Sequence, residues 1–502
     1  MAGKEAVSPA HALAGAARFK QTSGAAPDYK TASSCKTGFV LLFLHIEKRI
    51  KQTNNKIHEK QNAPRGITAN RMGTANGKPF GKGKVNMIKK TTKAVFWTAA
   101  AEAPAQYPWL SQDIDCEVAV IGGGLTAVLC ALRFAQAGCD TVLLGAEPIG
   151  HGGTAASSGM MCLDGEECLT ELVDKIGADR AMSAAKLFRE AIDRLEALGR
   201  ESGTDCGFRR MDTLRYAQGK KGAEVIRREF SLRLHNGIDA ELLSGQNAAE
   251  QFSFPMEAGV YSRGAGAQAD PYRLTHAAAA MAAKAGARIY ENTGVSVVDH
   301  CGEDMVVLEC VTGHTVHARY AVVAAGLETD KQCGGLERTA TVYTLVTEPV
   351  ESFPGWRGPC LIHTQEEPSL FLTVTPDNRI LIGGMGSSLV DEHGRLGGML
   401  ELSSAGQKRY EQLEKQLRGM FPAIRGLTAD YVYASRAGRT ADGLPVIGRL
   451  PQEERIAYAL CCGENGLLYA DIASRLLVEQ YQGQANQELG LFSPRREWRM
   501  KH

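Results

Sequence analysis

The apolar run Val118-Ala119-Val120-Ile121 leads without a break into Gly122-Gly123-Gly124. Such a run suits a parallel strand buried on both faces. Leu125 to Ala137 then reads as a helix, with Leu129, Leu132 and Phe134 set among alanines and Gly138 as its C-terminal stop. Thr141 to Leu144 reads as a second strand. Strand, glycine turn, helix and second strand fit within about 27 residues, the spacing of a dinucleotide-binding unit.

Gly122-Gly123-Gly124-Leu125-Thr126-Ala127 fits the pattern G-x-G-x-x-A. Gly122 permits the sharp turn, Gly124 lets the backbone approach a pyrophosphate, and Ala127 keeps the helix close to the sheet. Exposed N–H groups and the positive end of the helix dipole then face the anion. One part is missing. The second strand of such a unit ends in an acid that binds the adenosine ribose, yet here it ends Leu143-Leu144-Gly145, with Glu147 two positions late. Either Glu147 reaches back through a distorted loop, or the ribose relies on backbone and water. Losing one charge-assisted hydrogen bond costs about 1.5–3 kcal/mol, which weakens a cofactor site without abolishing it.

Between about Leu163 and Phe254 the pattern is of long amphipathic helices, with Leu187, Phe188, Ala191, Ile192, Leu195 and Leu198 at helical intervals. Asp270-Pro271 looks like a cap and first-position pair opening a helix through Ala285. Strands alternate from Ile289 to Val316, and Tyr320 to Ala325 is a buried strand ending at Gly326. Thr341–Val346, Ser369–Val374 and Ile380–Ile382 read as strands, followed by a helix carrying Tyr410, Leu413 and Leu417. Ile456–Leu460 is the last strand; Gly463-Glu464-Asn465-Gly466 then opens a helix from Leu467 to about Tyr481. Glycine-terminated strands this far apart in sequence imply a discontinuous nucleotide-binding lobe with a second lobe inserted as two segments.

Composition limits the partners. Lys+Arg number 57 against 56 Asp+Glu, a net +1 that excludes nucleic-acid binding by overall charge. Residues 1–86 hold 15 basic and 4 acidic residues, a net +11. Their one apolar run, Phe39–Leu44, is far short of the ~20 residues of a membrane span and begins too late for a secretory signal. The leader reads as a disordered tail or an artefact of start assignment ahead of Met87; the competing reading is an organelle-targeting segment. Thirteen cysteines with no C-x-x-C pair suggest reduced thiols in a cytoplasmic protein and no structural metal site. Cys461 and Cys462 read as part of a strand.

A second glycine cluster, Gly150-His151-Gly152-Gly153-Thr154, follows within ten residues of the second strand. A nicotinamide enzyme has no use for it, whereas a flavoprotein needs small residues with backbone donors there. With this segment the chain resembles the FAD-dependent oxidoreductase superfamily of D-amino-acid oxidase, glycine oxidase, sarcosine oxidase and γ-glutamylputrescine oxidoreductase. The match is carried by Asp115–Gly138, Ile149–Met161, Ala267–Val298, Val322–Thr329, Arg439–Gly448 and Cys462–Leu477. It spans roughly Lys93 to Arg496 and none of the leader.

The resemblance implies an α/β fold: a discontinuous Rossmann-like FAD-binding domain (112–175, 258–335 and 436–485) with an inserted α+β substrate domain (176–257 and 336–435) on an antiparallel-rich sheet. It implies FAD held by Gly122, Gly124, Ala127, Gly152, Gly153, Thr154, Val295, Gly326, Gly463, Asn465, Gly466 and Leu467, with Glu147 toward the ribose. Asn465, Gly466 and Leu467 at a helix N-terminus can offer N–H groups to the flavin edge that gains negative charge on reduction. The chemistry implied is hydride transfer from a carbon bearing an amine to flavin N5, with imine hydrolysis and reoxidation by O2 or another acceptor.

The substrate lobe departs from the relatives. Thr373 stands where an Arg is common, Gly383-Gly384-Met385-Gly386 replaces a Gly-Gly-Glu-Asp-like run, and Tyr433-Ala434-Ser435 replaces an aromatic-x-Gly. Arg436 lies near the carboxylate-binding Arg of glycine oxidases but one residue too far from Asp442, so it reads as a carboxylate clamp, an interlobe ion pair or a solvated Arg. His363 and Tyr433 are further candidates that strand packing would equally explain. Packing also explains His151 and Cys461, which are not needed as covalent flavin tethers. The leading function is an FAD-dependent amine or amino-acid oxidase; the alternatives are a dehydrogenase serving a protein or quinone acceptor, and a non-catalytic flavin-binding scaffold.

Overall fold

The structure, a computed structural model, describes residues 95–101, 105–163, 165, 167–301, 304–385 and 404–496. The basic leader 1–86 and Gly386 lie outside the described residues.

The first sheet has five parallel strands in the order Ile456–Leu460, Thr315–Val323, Ile114–Ile121, Thr141–Leu144 and Arg288–Tyr290. Antiparallel Val446–Arg449 borders one edge, and the hairpin Val295–Cys301 with Met305–Cys310 joins Thr315–Val323. Apolar residues point both ways from the central strands. Val118, Val120 and Leu143 pack under the helices Leu125–Gln136, Ala178–Ser202, Pro271–Lys284 and Gly466–Tyr481. Ala119, Ile121, Val142 and Leu144 pack on the opposite face with Val306 and Leu308 of the hairpin. Each such buried Val, Leu or Ile contributes roughly 1.5–3 kcal/mol, which is why a run without polar alternation forms a central strand.

The second sheet has nine strands, mostly antiparallel. Its order is Ala429–Thr440, Leu336–Thr347, Ile380–Met385, Leu370–Val374, Leu361–Thr364, Arg209–Ala217, Ala258–Gln268 and Met160–Cys162, with Ala240–Leu243 beside Ala258–Gln268. One face packs with the helix Ser404–Met420 and the Trp356–Phe421 stack, whose rings lie 4.7 Å apart at 10°. Phe371, Leu361, Leu381 and Tyr433 pack with Phe96 and Trp97 of the short helix Phe96–Ala100.

Four expectations are corrected. The stretch read as helical up to Phe254 contains the strands Arg209–Ala217 and Ala240–Leu243. Buried Arg215 and Thr213 stand where an apolar alternation would have announced the first of them. The helix Ala178–Ser202, assigned to the inserted lobe, packs in the nucleotide-side core: Phe188 meets Tyr469, and Arg194 and Arg133 both bind the buried Asp471 at 2.7 and 2.6 Å. Conversely, Ala258–Gln268, assigned to the first lobe, is a strand of the second sheet. Cys461 and Cys462 fall just past the strand that ends at Leu460.

Candidate functional site

The glycine turn is locked by its neighbours. Gly122 donates its N–H to the Leu144 carbonyl (2.9 Å), and Ala324 donates to Ile121 (2.8 Å), so three strand ends meet there. Gly122 has φ +136°, and a Cβ on it would run into the Ala324 carbonyl oxygen and come within 3.0 Å of the Ala127 Cβ. Gly124 opens the helix Leu125–Gln136 and has no side chain of its own to cap it, so first-turn N–H groups must find acceptors elsewhere. Leu125 N–H donates to Thr154 Oγ1 at 3.1 Å, and Gly150 N–H donates to the Gly123 carbonyl at 2.8 Å. The two glycine segments therefore converge on one helix N-terminus.

Glu291, which the sequence reading did not single out, binds this junction together. Its side chain is 4% exposed and accepts from Ile149 N–H (2.8 Å) and Tyr107 N–H (3.0 Å). Thr293 N–H donates to the Gly145 carbonyl at 2.7 Å, which sets the start of Val295–Cys301 beside the second-strand loop. Glu147, by contrast, is exposed, and Gly145 donates to the Tyr290 carbonyl instead. On the far side of the second glycine segment, His276 is half-buried; its Nε2 has no hydrogen-bond partner among the described residues, and burial pulls its pKa below the ordinary imidazole range. A helix opened by an uncapped glycine, a turn with no room for a Cβ and an orphaned imidazole nitrogen fit a bound dinucleotide such as FAD.

Asn465 clamps the two lobes' edges. It is 2% exposed, accepts from Cys162 N–H (3.1 Å) and donates to the Cys162 carbonyl (3.0 Å), anchoring the loop before the last helix to the strand Met160–Cys162. Gly463 has φ +109°, and Gly466 and Leu467 begin the helix. Gly326 opens a single 3-10 turn just beyond the Ala324 carbonyl that closes on Gly122. Gly152 and Gly153 are exposed, two residues short of buried Ala155.

At this seam lies a small recess lined by Ser158 and Gly165 on either side of the strand Met160–Cys162, by Met160, Cys162, His363 and Phe371 of the second sheet, and by Glu464 and Asn465. His363, 6% exposed, sets Nε2 3.3 Å from Glu464 Oε2. Burial works to raise the Glu464 carboxyl, but the hydrogen bond and charge of His363, with the charges of Arg215 and Arg439, hold it below the usual carboxylate range. Both arginines are committed elsewhere: Arg215 to the Gly165 carbonyl and Gln365, and Arg439 to Glu167 and Glu367.

Of the three candidate substrate-binding residues, one lines this recess. Arg436 is exposed and donates to Thr339 Oγ1 at 3.3 Å. Tyr433 packs behind the recess with Met160 and Phe371, where burial pushes its phenol well above the usual range. Thr373 is buried and accepts from Gln268 Nε2 at 2.9 Å. Glu464 was missed because, in sequence, it is one more polar residue of a glycine-rich turn.

The family model described as "FAD dependent oxidoreductase" matches residues 117–480. γ-Glutamylputrescine oxidoreductase of Escherichia coli K12 is 23% identical over 400 residues, covering 78% of this chain and 89% of its own. Glycine oxidase of Bacillus licheniformis is 25% identical, covering 72% and 92%. The crystal structure of glycine oxidase from Geobacillus kaustophilus superposes with a TM-score of 0.63 at 20% identity, covering 76% of this chain and 99% of that one.

Proposed function

The chain belongs to the FAD dependent oxidoreductase family, and from that premise we propose that it oxidises a C–N bond of an amine or amino acid at the recess beside His363 and Glu464. The observation that carries this reading is the recess itself, where residues following the second glycine segment, residues opening the last helix and residues of the second sheet meet.

Bound FAD supplies a hydride acceptor, with O2 as the proposed final oxidant. The protein's own groups do the rest. Gly124 and the helix behind it would hold the pyrophosphate, and the dipole of the helix Gly466–Tyr481 would stabilise negative charge at its N-terminus. An alkylamine with a pKa near that of lysine is neutral in only about one molecule in 2,500 at pH 7, so a base must take its proton before hydride can leave. The pair of His363 and Glu464, 3.3 Å apart and sharing a proton between them, is placed to take it.

Turnover of a primary amine should release ammonia and hydrogen peroxide in equal amounts. Ammonia without peroxide would replace O2 by another acceptor. Neither product from any amine or amino acid would overturn the proposal.

A further inference from the structure

We infer that Arg133 and Asp471 lock the register of two helices whose N-termini address one FAD, and so act as positioning residues for the cofactor. The inference rests on the family's use of FAD and is independent of the substrate proposed above.

The helices Leu125–Gln136 and Gly466–Tyr481 follow Ile114–Ile121 and Ile456–Leu460, parallel strands of one sheet. Both N-termini therefore face the carboxyl edge of that sheet, where ligands of such folds bind. A single dinucleotide that meets both ends needs them at a fixed offset. Slippage of one helix by a single residue moves its N-terminus by about 1.5 Å, enough to spoil an oriented contact. Charge supplies the register. Asp471 is 1% exposed, and Arg133 Nη2 donates to its Oδ1 at 2.6 Å. Arg133 Nε also donates to Ser474 Oγ at 2.9 Å, so one guanidinium grips two positions of the last helix. Arg194 of the helix Ala178–Ser202 takes the other oxygen, Oδ2, at 2.7 Å. Sliding the last helix past the first breaks both Arg133 contacts and leaves a buried carboxylate short of a partner, which is costly. Setting register is the best-attested use of buried polar contacts between helices. Ahead of Asp471, the two bonds of Asn465 to Cys162 tie the start of the same helix to the seam.

Arg133 and Arg194 form a matched pair for the test. Each side chain is 26% exposed, each makes one ion pair with Asp471, and each has one further partner, Ser474 for Arg133 and Glu190 for Arg194. Only Arg133 stands on the helix of the glycine turn. The FAD-loaded full chain, Arg133→Met and Arg194→Met are compared by urea unfolding, rate of FAD release and visible circular dichroism of the flavin. Both variants should unfold at similar, lower urea concentrations. Arg133→Met should release FAD about tenfold faster, as for a lost hydrogen bond to a charged group, and Arg194→Met within about twofold of the parent. The flavin dichroism should change in Arg133→Met alone. Ser474→Ala removes one Arg133 contact without unpairing a charge; it should fold normally and release FAD about threefold faster, which keeps the test open if Arg133→Met does not fold. Equal acceleration in the two Met variants, or unchanged FAD release in Arg133→Met or Ser474→Ala, would overturn the inference and leave the ion triad a structural role. None of these outcomes bears on which amine is oxidised.

Discussion

Trp97 donates its indole N–H to the Ser157 carbonyl over 2.8 Å, joining residues 60 positions apart. Trp97 is 2% exposed, and a Cβ on Gly159 would touch its ring at 3.4 Å. The short helix ahead of the first strand thus braces the segment that approaches the dinucleotide site. Trp97→Ala should cost about 3–5 kcal/mol of stability and weaken FAD retention. Trp97→Phe, which keeps most of the ring area, should cost only about 1 kcal/mol. Thermal unfolding and flavin retention on gel filtration check both. Truncation at Met87 should change neither.

Glu291→Gln removes one of two carboxylate oxygens that hold Ile149 and Tyr107 by their backbone N–H groups. The amide it introduces turns a donor toward one of them. The loss should be about 1–3 kcal/mol, read as a lower midpoint in urea together with faster FAD release. An unchanged FAD dissociation rate would show that the Glu291 clamp does not reach the site.

Gly122 and Gly124 should fail differently. A side chain at Gly122 meets the Ala324 backbone at φ +136°, so Gly122→Ala should cost about 3 kcal/mol or more and show as misfolded or aggregated protein. At Gly124 a Cβ would come within 2.9 Å of Thr154 Oγ1 and no backbone atom lies near. Gly124→Val should fold, with an unchanged circular dichroism spectrum, and purify without flavin.

These residues mark how far the sequence could be read. The central strand, the glycine turn and the Asp270-Pro271 helix start were legible because local chemistry dictates them: an apolar run, an uncapped turn, and a carboxylate that accepts from Tyr272 and Arg273 N–H groups. Arg209–Ala217 was not legible, because it carries its charge inward to the seam between lobes, where the environment is set by other segments. Glu291 and Glu464 escaped for the same reason. Each acts through partners more than 100 residues away, Ile149 for the first and His363 for the second.

Asp270 gives a stability signature in pH. Burial raises its carboxyl to about 6, against the lowering effect of the backbone N–H groups and charge of Arg273 and the N–H of Tyr272. The folded protein therefore binds this proton more tightly than the unfolded chain does. Its contribution to stability falls as pH rises from about 4 to about 6, and stays low above that. Asp270→Asn keeps the capping oxygen without the charge. It should stabilise the protein by about 2–3 kcal/mol at pH 7, with the gain vanishing near pH 4. Urea unfolding of both proteins at the two pH values checks the sign.

The most direct test of the account is anaerobic mixing of the purified, FAD-loaded chain with a panel of alkylamines and amino acids, followed by flavin absorbance in the visible. At least one amine or amino acid should bleach the flavin, and the Gly124→Val protein should show no visible band to bleach. A flavin that dithionite bleaches but no amine or amino acid touches would contradict the account.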